Sequence, residues 1–186
     1  MILRKPFIAL ASAAIVAMAS AVVTSCDDDD DVDKYKAWDT LNKAWVAEQA
    51  ARTDADGNLI FKAVHPNHPN YSPSSTVYMR FCEDPAANAE NLRPLFTSYC
   101  TVNYTVRLYD GTLVDSAANY TSQLNSAMLI DGWSIAIQQM HVGDTIEAIL
   151  PANVAYGATG SAAVQPYSAL RFNIRLTDIP YYEVRP

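Results

Sequence analysis

Few residues in this chain have the types and spacing to do chemistry. His65 and His68 stand three apart and could together hold a metal ion, but Pro66 and Pro69 forbid a helix there and no third ligand lies nearby, so no metal site is expected. Asp54, Asp56, Gly57 and Asn58 carry the residue types of a calcium loop. The glycine comes two positions too early for the D-x-[DN]-x-[DN]-G pattern, and the stretch reads as a turn before a short strand, Leu59 to Val64. Cys82 and Cys100 both fall on expected strands, where they either pair as a disulfide or act as small buried hydrophobes. Tyr104, Trp133 and Phe172 are large aromatics, and each taken alone reads as core. They are also the residue types that would line an apolar pocket.

The elements that would position these residues follow from composition and pattern. At 186 residues, 50% of them hydrophobic, the chain can bury one ordinary core plus an extension but not two full domains. A net charge of -7 leaves no basic stripe to neutralise phosphates and argues against a nucleic-acid partner. Arg4 and Lys5 precede an apolar run from Phe7 to Val23, the pattern of a targeting segment, too short and too rich in small residues for a membrane span. Val23-Thr24-Ser25-Cys26 resembles a lipobox. It predicts a signal peptide over 1–25, removal of that peptide, and a lipid on Cys26 that anchors the chain to a membrane in the cell envelope as an outer-membrane lipoprotein, periplasmic or surface-exposed. Asp27 to Asp33 would then be a solvated acidic spacer, completing a 26–33 linker, or a surface-export signal.

Lys34 to Arg52 lacks Pro and Gly and sets Trp38, Leu41 and Trp45 on one stripe, which predicts a helix that packs on its own domain or serves as an assembly element. With the loop His65 to Pro73, it forms an extension over 34–75. Thr76 to Cys82 alternates as a strand, opening a domain over 76–182. In CTVNYTVRLYDGTLVDS, from Cys100 onward, Val102, Tyr104, Val106 and Leu108 share a face. Asp110-Gly111 is a two-residue hairpin signal. Trp133, Ala136, Ile137 and Met140 then form one stripe of a short helix, and Leu170, Phe172, Ile174 and Leu176 line one side of the last strand. This order predicts an α+β domain: an antiparallel, curled sheet wrapped over one short helix, with an N-terminal helical extension.

Read together, the segments xVxYT, DGxxxDS, IDGW, QMxVGD, AYGATG and LxFxIxL, in this order between about Tyr99 and Ile179, resemble the FKBP-type peptidyl-prolyl cis-trans isomerase family. The resemblance implies rotation about X-Pro bonds without a cofactor, acting on proline-containing polypeptides during folding of exported proteins, and possible inhibition by macrolides. A peptide-binding or chaperone module with weak catalysis is the alternative. The catalytic residues implied are Tyr104 and Phe172 as walls, Trp133 as floor beneath the proline ring, Tyr156 as a hydroxyl donor to the substrate backbone and Asp115 as acceptor or polarising group. Leu129, Ile130, Val114 and the rim residue Tyr120 would bind substrate. Val114 departs from the phenylalanine the family usually places before its pocket aspartate. Met128 stands for a common acidic residue, Val106 for a frequent glycine, and Gln165-Pro166 for a Pro-Pro pair in a loop overhanging the pocket.

Overall fold

Alternation at every second residue lays down the strands. In the last of them, Leu170, Phe172, Ile174 and Leu176 are buried while Arg171, Asn173 and Arg175 between them are exposed. The computed structural model describes residues 30–181, so the targeting segment, Cys26 and the first acidic residues lie outside the described chain. In order, the elements are α1 (Asp30–Ala51), β1 (Lys62–Val64), β2 (Val77–Phe81), β3 (Tyr99–Leu108), β4 (Leu113–Gln123), α2 (Asp131–Ile137), β5 (Thr145–Leu150) and β6 (Leu170–Asp178). All pairings are antiparallel, and the six strands form one sheet in the order β1-β2-β5-β6-β3-β4. This is the α+β architecture expected, an antiparallel sheet with α2 against one face.

That face carries the main core. Val102, Val106, Ile146, Ala148, Leu150, Ile174 and Leu176 meet Trp133, Ala136, Ile137 and Met140 of the α2 segment. Close approach of α2 to the sheet depends on Gly132, since a Cβ there would stand 2.6 Å from Leu150 Cδ2 and 2.9 Å from the Val154 carbonyl oxygen. Cys100 is part of this core and Cys82 is exposed; both are free thiols, so the buried-hydrophobe alternative holds for Cys100 and the pair forms no disulfide. Burial pushes the Cys100 thiol up to about 12 and raises that of Cys82 as well.

The opposite face is partly covered by α1. The helix lies against β5, and Ile149 and Phe61 are fully buried on this side, with the guanidinium groups of Arg52 and Arg80 over the Phe61 ring. Next to them the buried Glu147 carboxylate joins Arg80, at 2.6 Å, and Arg171. So the extension is built into the sheet on two sides: β1 pairs with β2, and α1 docks on its own domain rather than standing free.

Several local expectations change. The helix begins at Asp30, inside the stretch expected to be a solvated spacer, where acidic residues favour a helix N-terminus through the macrodipole. Its inward stripe is not Trp38-Leu41-Trp45, because Leu41 is 51% exposed. Asn42 and Gln49 are buried instead, with Trp38 and Trp45 half-buried beside them. Hydrogen bonding explains the polar stripe: Asn42 Nδ2 donates to the Trp38 carbonyl at 2.9 Å and Asn42 Oδ1 accepts from the Ala169 amide at 2.8 Å. The first short strand is Lys62–Val64, with Leu59 reduced to a single bridge to Thr53. The Asp110-Gly111 hairpin closes through three residues rather than two, with Leu108 N–H donating to the Thr112 carbonyl and Gly111 taking φ +88°.

His65 and His68 serve the loop. His65 Nδ1 lies 3.2 Å from the Ser75 carbonyl, and the His68 ring stacks on Phe96 with centroids 3.7 Å apart. The Asp54 turn is held by its own carboxylate, which accepts from the Asp56 and Asn58 amides at 2.9 Å. Those bonds lower the pKa of Asp54, the Asn58 amide most of all.

Candidate active site

A cavity of about 300 Å3 opens between the sheet's α2 face and the chain on either side of α2. β3 contributes Tyr104 and Val106, β4 contributes Val114, Asp115 and Tyr120, and β6 contributes Leu170 and Phe172. Met128, Leu129 and Ile130 come from the turn before α2, Trp133 from its first turn, and Tyr156 from just beyond the 3-10 turn Ala152–Val154. The structure therefore brings all nine of the sequence-predicted catalytic and substrate-binding residues to one cavity, while Cys26 lies outside the described residues. It adds Leu170 to the lining, and it places Val106 and Met128, noted only as departures, on it too. Gln165 and Pro166 are not part of it.

The floor is a packed aromatic cluster. The Trp133 ring stands edge-on to Tyr104 at 5.1 Å, to Phe172 at 5.6 Å and to Tyr120 at 6.2 Å. Tyr104 and Tyr120 meet at 5.7 Å. Such edge-to-face pairs contribute about 0.5–1.5 kcal/mol each beyond area burial. The buried indole N–H of Trp133 has no acceptor among the described residues, so ring packing and the helix backbone hold it in place. Ser134 in the same turn donates from Oγ to the Leu124 carbonyl at 2.7 Å, which ties α2 to the end of β4 and sets the course of the turn carrying Leu129 and Ile130.

The polar side of the cavity carries the Tyr104–Asp115 hydrogen bond and the hydroxyls of Tyr120 and Tyr156. Tyr104 donates to Asp115 Oδ2 at 2.6 Å, a short charge-assisted bond. The Tyr104 phenol is held well above the ordinary tyrosine range, first by burial and then by the bond to Asp115 and the charge of that carboxylate. Tyr156, 40% exposed at the rim, makes no side-chain hydrogen bond among the described residues. The result is an apolar socket whose wall carries a fixed, neutral hydroxyl and whose rim carries a free donor.

Two irregularities in β4 explain how Val114, Asp115 and Tyr120 all come to face the cavity. Val106 pairs with Asp115 and Arg107 with Leu113, which leaves Val114 as an extra residue. Val102 pairs with Tyr120 and Tyr104 with Ala117, which inserts a second extra residue near Asn119, at φ +54°, whose amide is held by Asn103 Oδ1 at 2.8 Å. Each bulge shifts the side-chain alternation by one, so neighbours Val114 and Asp115 share the cavity, and Tyr120, an odd number of residues beyond Asp115, returns to it. The segment around Tyr120, irregular in sequence, is continuous strand.

Residues 93–177 match the family model described as FKBP-type peptidyl-prolyl cis-trans isomerase. A protein of Trypanosoma cruzi named macrophage infectivity potentiator is 34% identical over 110 residues, covering 58% of this chain and 54% of that one. An outer membrane protein MIP of Legionella longbeachae is 37% identical over 82 residues, covering 42% of this chain and 35% of that one. The crystal structure of a peptidyl-prolyl cis-trans isomerase from Pseudomonas syringae shares the fold, with a TM-score of 0.63 at 22% identity over 78% of this chain and 95% of that chain. The chain spans about half the length, or less, of the curated relatives it matches.

Proposed function

We propose that the FKBP-type domain of this chain is a peptidyl-prolyl cis-trans isomerase acting on X-Pro bonds of exported polypeptides. The observation that carries the reading is the aromatic cavity over Trp133 with the Tyr104–Asp115 bond in its wall. Isomerisation requires twisting an amide against a barrier of about 18–20 kcal/mol, which arises from the resonance that keeps the bond planar. A twisted amide has lost much of its charge separation, so an apolar socket favours it over the planar, dipolar ground state. In this reading the proline ring sits on Trp133 between Tyr104 and Phe172, Leu129 and Ile130 close its side, and Tyr156 donates to the substrate backbone. Asp115 holds the Tyr104 hydroxyl in one orientation. No nucleophile, metal or cofactor enters the reaction.

The setting proposed is the cell envelope, with residues 1–25 removed and an acylated Cys26 holding the domain to the outer membrane. The lipobox-like sequence supports it, and one relative is itself named an outer membrane protein. The decisive assay adds purified protein at micromolar concentration to a proline tetrapeptide and follows cis-to-trans exchange. Acceleration, slowed by Tyr156→Phe, supports the reading, and an unchanged exchange rate rejects it.

A second reading, a peptide-binding module with little catalysis, is favoured by one observation: Val114 projects from its bulge into the socket with a short side chain where the family usually has phenylalanine. A wider socket excludes water less well and binds the family's macrolides less tightly. Val114→Phe should raise kcat/KM by about threefold to tenfold, the scale of one or two buried methylenes' worth of added apolar contact. No gain in that variant removes the motive for the second reading.

A further inference from the structure

We propose that α1 is a positioning element for the candidate site, clasping the loop that carries Tyr156 through Trp38 and Asn42. The inference rests on the isomerase reading and adds to it residues that lie outside the segment matching the family model. Tyr156 sits at the start of a long connection that ends at Leu170, and both residues line the cavity. Short internal bonds gather the connection: Tyr167 donates its amide to the Gly157 carbonyl at 2.8 Å, Gly157 to Ala152 at 2.8 Å, and Gly160 to the Tyr156 carbonyl at 3.0 Å. The two ends of the loop are thereby joined beside the cavity.

The loop reaches α1 at the same place. Trp38 donates its indole N–H to Ser168 Oγ at 2.9 Å, and that hydroxyl donates onward to the Gln165 carbonyl at 2.6 Å. Asn42, 2% exposed, accepts the Ala169 amide on Oδ1 at 2.8 Å, immediately before the cavity residue Leu170. The Tyr35 ring lies 6.4 Å from Tyr167, which holds a strained φ of +64°, and the Trp38 ring stands edge-on to Tyr109 at 5.2 Å. A buried asparagine bonded across to the loop and back to its own helix is what a clasp needs and a merely space-filling helix does not.

The path from α1 to Tyr156 runs through backbone alone: Ser168 and Ala169 to Tyr167, then to Gly157, next to Tyr156. Loosening the first contact lets the Tyr156 hydroxyl wander and lowers affinity for a peptide that needs it, while the socket around Trp133 is untouched. Trp38, Asn42 and Ser168 are therefore positioning residues, not catalytic ones.

The test compares Trp38→Phe, Asn42→Ala and Ser168→Ala with the wild type in the full chain. Phe61→Leu, in the cluster under the same helix but away from the loop, controls for general loosening. Amide exchange over residues 157–168 should speed up in the three variants and not in the control. KM for a proline tetrapeptide should rise about twofold to tenfold per lost hydrogen bond, with kcat nearly constant. In a Tyr156→Phe background the rise should vanish, because the group being positioned is gone. Unchanged exchange, or a KM effect that persists fully in that background, overturns the inference. A wild type that binds and isomerises no peptide overturns the isomerase reading and this inference with it. An active wild type matched by its clasp variants overturns this inference alone.

Discussion

The Tyr104–Asp115 bond is where the site's chemistry can be weighed. Asp115→Ala removes a charge-assisted acceptor at 2.6 Å and leaves the Tyr104 hydroxyl facing an apolar socket. Hydrogen bonds to charged groups contribute about 1.5–3 kcal/mol net, and the exposure of the carboxylate here discounts that to about 1–2 kcal/mol. At about 1.4 kcal/mol per decade, kcat/KM for a proline tetrapeptide should fall about fivefold to thirtyfold. Tyr104→Phe should cost a similar amount and the double variant little more, so a double-mutant cycle should return a coupling near 1 kcal/mol or above. Asp115→Asn, which keeps an acceptor without the charge, should fall between. Ultraviolet titration gives an independent check: removing Asp115 takes away two causes of the raised Tyr104 pKa, so that phenol should ionise at lower pH than in the wild type while burial still keeps it above an ordinary tyrosine. The sign for stability follows from the same shift. A phenol whose folded pKa lies above its unfolded value contributes fully below the ordinary tyrosine range, and because the unfolded chain ionises first that contribution is lost as pH rises from about 10 through the raised folded value. Tyr104→Phe should flatten that alkaline limb. Additive effects of the two substitutions on kcat/KM, with no coupling, would refute the idea that Asp115 acts through Tyr104.

Two further outcomes test the packing around the site. Gly132→Ala places a methyl against the Val154 carbonyl and the Leu150 side chain and should destabilise the domain by about 1–3 kcal/mol in denaturant titration, since backbone on one side cannot yield; a change under 0.5 kcal/mol would count against close packing of α2 on β5. In a Cys26→Ser background, thiol titration of the native chain should label Cys82 and spare Cys100, which reacts only on unfolding because it is buried and its thiol is pushed up to about 12; rapid labelling of both, or neither even in denaturant, contradicts two free thiols in these settings.

Much of this was legible in the residues because it follows period two. The inward faces of β3 and β6, the short α2 and the positive-φ glycine after Asp110 are all local signals, and they set Tyr104, Trp133 and Phe172 on one side of one sheet. What escaped is what local period cannot encode. The two extra residues in β4 are visible only as pairings with β3, and without them alternation from Asp115 would send Tyr120 to the far face and choose only one of Val114 and Asp115. In α1 the error ran the other way. Hydrophobicity selected Leu41 for the buried stripe, whereas the stripe is set by Asn42, whose value lies in a bond to Ala169 far along the chain. A buried amide of this kind carries no sequence mark of its own until its partner is known.

These two misses bear on the same cavity from opposite faces of the sheet. On the inner face, bulges in β4 bring a carboxylate, an aliphatic group and an aromatic rim residue round to Trp133. On the outer side, α1 reaches the base of the Tyr156 loop and buries Asn42 and part of Trp38 in doing so. The socket is built from the strands, α2 and the turn before it, and the segment matching the family model holds these together with the Tyr156 rim but not α1. The rim needs a long connection, from Tyr156 to Leu170, to hold still, and α1 bonds to its far end at Ser168 and Ala169. An external clasp is a physically sufficient answer. It follows that substitutions in the socket walls, at Tyr104 or Phe172, should act mainly on the bound, twisted amide and so on kcat, whereas those in α1 or at Tyr156 should act on the fit of the peptide and so on KM. That division separates socket from rim more sharply than stability does.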